Sequence, residues 1–139
     1  MKRFPTGFLT LSLFFFFFSG TGACRPQDPA APRNKGIGPI KSLKLDPLEQ
    51  KLANEGKTTF ETVCVSCRSL DKRLVGPPLG KVAKERAPEF IMNLLLNTAE
   101  MAQKDSIIKK LITDYNVTMP QPNINEKQAR DILEHLRSL

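Results

Sequence analysis

Two kinds of apolar pattern divide this chain. Phe8 to Phe18 is an almost unbroken apolar run containing five consecutive phenylalanines, Phe14 to Phe18. From residue 48 onward, apolar positions instead recur at helical spacing, three or four residues apart. Leu48, Leu52, Thr59, Phe60 and Val63 mark a first helix, opened by Pro47 with Asp46 as its cap. Gly56 falls on the same face, and a glycine inside a helix predicts close approach of another backbone. Pro88 opens a second helix with the stripe Phe90, Ile91, Leu94 and Leu95, ending near Asn97 or Thr98. Asp105 caps a third, whose buried candidates are Ile107, Ile108, Leu111, Ile112 and Tyr115. Asn125, with Gln128 three residues later, resembles a capping box for a last helix with Ala129, Ile132, Leu133 and Leu136 on its core face. No segment alternates as a strand, so the expected class is all-α, several short helices within about 92 residues. That apolar inventory is thin for a freestanding core, and a domain so small often leans on a cofactor or a cross-link.

The N-terminal run reads as a targeting signal over residues 1–23. Lys2 and Arg3 precede it, it is short for a membrane span, and it ends in the small residues Ser19 to Ala23. Cys24 follows at once, as in a bacterial lipobox, although Thr21 stands where an apolar residue is usual. The expectation is lipidation of Cys24 and an anchor on the periplasmic side of the envelope; cleavage after Ala23 to leave a free cysteine is the alternative. Residues 24–47, with Pro26, Pro29, Pro32, Pro39 and Pro47, read as a tether between that anchor and a domain at 48–139. An irregular extension packed on the domain would have the same composition.

Charge and cysteine usage narrow the chemistry. The formal charge is +7, and removing residues 1–23 takes away Lys2 and Arg3 and no acid, leaving +5. Such an excess suits acidic partners, although a solvated basic surface accounts for it equally well. No basic run is dense or interleaved with aromatics, so a nucleic-acid partner is not expected. Cys64-Val65-Ser66-Cys67-Arg68 follows the first helix, and Gly76-Pro77-Pro78-Leu79-Gly80 makes a turn beyond it. The pair suits haem attachment, thiol exchange or zinc. Thiol exchange favours a cysteine at a helix N-terminus, whereas this pair follows a helix. Zinc needs four ligands, and His135 is the only histidine.

Together these residues resemble a class I c-type cytochrome of the small bacterial monohaem kind. The matching features are Gly56, Phe60, Cys64, Cys67, the Gly-Pro-Pro-Leu turn, Met119-Pro120 and the terminal helix from Ala129 to Leu136. The resemblance implies a cytochrome c-like fold around covalent haem c and electron transfer to redox partner proteins rather than catalysis. It implies thioethers at Cys64 and Cys67 and a Pro77 carbonyl orienting the proximal ligand. It also implies Leu79 packed on the porphyrin and Met119 as the distal iron ligand. One position departs from the pattern. Arg68 stands where the proximal histidine belongs, and a guanidinium has no lone pair for a metal. Altered ligation or a haem-free, disulfide-bonded relic serving as an interaction domain are both consistent with that change. His135, on the last helix, is expected to replace an aromatic contact rather than to rescue the iron.

Overall fold

The computed structural model describes residues 33–139. The signal segment and Cys24 lie outside those residues. Six helices appear among the described residues: α1 (Gln50–Val63), α2 (Val82–Glu85), α3 (Pro88–Leu96), α4 (Thr98–Lys104), α5 (Ser106–Tyr115) and α6 (Glu126–Arg137). None of them is long and apolar enough to cross a membrane.

The fold is centred on the crossing of α1 and α6. At Gly56 the helices touch backbone to backbone, and a Cβ there would overlap the Asp131 carbonyl. Absence of a side chain is what allows this approach. Phe60, one turn further on, packs into a core with Ile91, Met92 and Leu95 of α3 and Ala129, Ile132, Leu133 and Leu136 of α6. His135 meets the Phe60 ring at 5.6 Å between centroids, tilted by 59°. Charges reinforce the crossing from outside: Lys127 Nζ lies 2.6 Å from Glu55 and 2.7 Å from Asp131. The α6 N-terminus carries the expected capping box, with the Asn125 side chain accepting from the Gln128 amide and the Gln128 side chain accepting from Asn125 N–H.

A second, smaller core joins Ala87, Phe90, Met101 and Ile108. Asp105 caps α5 by accepting from the amides of Ile107 and Ile108. Asn116, at φ 51°, ends it in the left-handed conformation that asparagine tolerates.

The structure corrects three expectations. The first helix begins at Gln50, not at Pro47, with Glu49 at its cap position and no side-chain cap. The Asp46 carbonyl accepts from Arg137 Nη2, which holds the chain off the helical path there. Leu48 and Val63 are consequently exposed. Two short helices, α2 and α4, were absent from the sequence expectation because each spans too few residues to show a periodicity.

The third correction concerns the tether. Its described part, residues 33–46, is a strap packed on the domain, so the folded unit begins at Pro32 rather than at residue 48. Asn93 of α3, 1% exposed, holds the strap by three hydrogen bonds. Its amide nitrogen donates to the carbonyls of Lys35 and Ile40, and its oxygen accepts from Ile40 N–H at 2.9 Å. Gly36, at φ 73°, turns the strap beneath Met101, and Ile37 N–H points at the Met101 sulfur. Leu43 N–H donates to Glu89, and Arg130 and Arg137 reach the carbonyls of Lys44 and Asp46. Both arginines also pair with Glu134, which is 1% exposed, so its buried charge is compensated. A proline-rich segment has no regular hydrogen bonds of its own, and here side chains of α3 and α6 supply them.

Candidate functional site

α1 delivers the cysteine pair. Its last turn closes through Cys64 N–H to Phe60 O, and the amides of Cys67 and Arg68 then donate back to Cys64 O at 3.1 and 2.9 Å. The chain leaves in a loop that is tied back on itself. Gly76 N–H donates to Cys67 O, Leu79 N–H to Ser69 O and Gly80 N–H to Leu70 O. These bonds fix the Gly-Pro-Pro-Leu turn beside the cysteines. The two prolines lack amides and so leave the turn's outer edge free of bonding demands.

This turn, α3, α5 and the loop before α6 enclose a crevice of about 760 Å³, within the range of cofactor pockets. Its wall includes Cys64, Arg68, Pro77, Leu79, Met119 and Tyr115. Of the residues singled out from sequence, Cys64, Pro77, Leu79 and Met119 therefore meet at one cavity. Cys67 is half-buried beside it and is not part of the lining. His135 is also absent from that lining; it faces a separate outer cleft with Lys57, Phe60 and Glu61. Both Cys64 and Cys67 are free thiols. Burial pushes the Cys64 thiol up, against a smaller opposing effect of the Arg68 charge. Burial, and then Lys57, push His135 down, with Glu61 opposing.

Three features of the crevice escape a reading of the sequence. Leu111, Ile112 and Tyr115 of α5 are half-buried wall residues rather than core, and only Ile108 of the predicted set is buried. Arg73 lies 4.4 Å over the Tyr115 ring, bracing the loop after the cysteines against the end of α5. Gln121 moors the Met119 loop: its amide accepts from Thr98 N–H and donates to Leu95 O, both at 2.8 Å. Only Gln121's place two residues after Met119, between two prolines, hinted at this.

Arg68 lines both the crevice and the outer cleft. Its guanidinium lies against Gly76, where a Cβ would overlap it. Nη1 is buried without a hydrogen-bond partner. Burial pushes the guanidinium's pKa down, partly offset by Cys67, Cys64 and Tyr115.

A helical wrap around an apolar crevice, with a CxxC turn at one wall and a methionine loop at another, is the build of a small c-type haem protein. The chain belongs to the cytochrome c family, whose profile matches residues 53–139. It is similar to cytochrome c from Rhodothermus marinus, at 40% identity and TM-score 0.71, over 73% of this chain and 88% of that one. An engineered form of that cytochrome, Rma TDE, matches at 41% identity and TM-score 0.69, over 73% and 89% of the two chains. The same engineered form bound to a carbene intermediate matches at 41% identity and TM-score 0.68, over 73% and 88%. No curated protein matches the chain.

The family implies covalently bound haem c and electron transfer. The residues present fit that cofactor at its attachment turn, its apolar walls and its methionine side. They do not supply the proximal ligand, because Arg68 occupies that position and cannot coordinate iron.

Proposed function

We propose that this chain is a single-haem electron carrier of the bacterial cell envelope whose iron ligation is altered by Arg68. The supporting observation is the convergence of Cys64, Pro77, Leu79 and Met119 on one apolar crevice beside Cys67. When bound, haem c supplies a one-electron couple. Cys64 and Cys67 hold it through thioethers, Leu79 packs against its face, and Met119 offers a thioether sulfur, a ligand that favours the reduced iron. The apolar walls exclude water, which also favours the less charged state. Exposed Val65, Leu74 and Val75, with Lys72, Arg73 and Lys81 nearby in sequence, make a rim suited to an acidic redox partner. Small residues before Cys24 support a lipid anchor on the periplasmic side; Cys24→Ser should then move the protein from the membrane to the soluble fraction.

One observation favours a second reading. Arg68 puts a buried, unpartnered cation where the family's proximal ligand belongs. A haem-free relic with a Cys64–Cys67 disulfide, serving as an interaction domain, would tolerate that change. Expression in a periplasm with c-type maturation machinery separates the two. A Soret band and an intact mass increased by one haem support the carrier. A colourless protein two hydrogens lighter than its reduced mass would replace it with the relic.

A further inference from the structure

The electron-carrier reading makes no use of the Arg68 charge. The guanidinium is held between the cysteine turn and Gly76, with Nη1 out of solvent and unpartnered. The groups that bear on it electrostatically are the sulfurs of Cys67 and Cys64 and the phenol of Tyr115, none of them a carboxylate. Thioether attachment would leave both sulfurs neutral. Glu61 and Asp71 line the outer cleft, yet among the described residues neither forms an ion pair with Arg68. A cation confined in this way is costly unless something negative pairs with it.

We propose that Arg68 makes the proximal side of the crevice a binding position for a small monovalent anion, ligating iron on the face opposite Met119 and pairing with the guanidinium. The inference rests on the crevice holding haem c. Guanidinium has donors and no lone pair, so it leaves the coordination position open while supplying the counter-charge. Histidine at the same position would close it. The anion must be small, because the porphyrin takes most of the crevice and Leu70, Gly76, Pro77 and Leu79 flank the remainder.

The test uses the haem-loaded ferric protein, titrated separately with azide and with imidazole while the Soret band is followed. Azide should bind the parent protein. Arg68→Gln should weaken azide roughly 10- to 100-fold, the range for losing a charged hydrogen bond. It should change imidazole, a neutral ligand, by less than about 3-fold, since imidazole gains nothing from the charge. Arg68→His should abolish azide binding at concentrations that saturate the parent. Three results would overturn the proposal: no Soret shift with azide, equal losses for both ligands in Arg68→Gln, or unchanged azide binding in Arg68→His, which would place the anion on the Met119 side. A chain that takes up no haem removes this site together with the haem reading; a haem-loaded chain that ignores azide removes the site alone.

Discussion

The α1–α6 crossing and the crevice wall differ in how they are stabilised. At the crossing, protein touches protein: Gly56 meets the Asp131 backbone, Phe60 meets His135, and Glu134 is paired with two arginines. One exception is Asp131 Oδ1, buried without a partner although Oδ2 is paired with Lys127. At the crevice, Leu111, Ile112, Tyr115 and Met119 present half-buried surfaces to a cavity, and Arg68 Nη1 has no partner. One region is specified by the chain's own complementarity. The other is shaped for a group the chain must acquire, and the residue at odds with that group lies there.

The comparison breaks most sharply at Gly56. Gly56→Val should cost about 3 kcal/mol or prevent folding, because an overpacked contact with backbone cannot relax by a rotamer change. Urea denaturation reads the loss, and an effect below about 1 kcal/mol would mean that the helices separate easily. Asn93→Ala should cost about 2 kcal/mol by leaving the strap's donor and acceptors unmatched. The loss is capped by the strap's own docking energy, since the strap can release. Hydrogen exchange should therefore rise selectively at Ile37, Ile40 and Leu43, leaving α1 and α6 protected. On the crevice side the sign reverses. Arg68→Leu should raise the stability of the chain by about 1 kcal/mol, because it removes a partly buried cation with no partner. A loss of similar size would show that Arg68 has a partner in solution.

The smallest effect is a pH dependence at the crossing. His135 has its pKa lowered in the folded protein, first by burial and then by Lys57. The folded state therefore binds the proton less readily than the unfolded chain. Stability from this group is fully present above the unfolded value of 6.5, declines as pH falls below it, and levels off under the lowered folded value. Denaturation at pH 7.5 and 5 should differ by about 0.5 kcal/mol on this account, and His135→Phe should remove the difference. A difference that persists in the variant would assign the dependence to other groups.

Much of this was legible before folding. Helical spacing placed α3, α5 and α6, because an amphipathic helix writes its buried face at a period the sequence displays. Capping chemistry placed Asp105 and Asn125, since caps are local. The motif residues Cys64, Gly76 to Gly80 and Met119 were legible through family resemblance rather than through any pattern of spacing. The crevice roles of Leu111, Ile112 and Tyr115 were not, because a helix facing a cavity and a helix facing a core have the same period.

The sequence by itself determined the all-α class, the glycine at the helix crossing, the cysteine turn and the arginine that follows it. All depend on residue identity or on neighbours within a turn or two. Tertiary structure alone decided that residues 33–46 form a strap rather than a tether. It also decided that Gln121 moors the methionine loop and that Arg68 Nη1 is buried without a partner. Each depends on groups far apart in the chain whose hydrogen bonds, made or missing, are set only once the helices have packed.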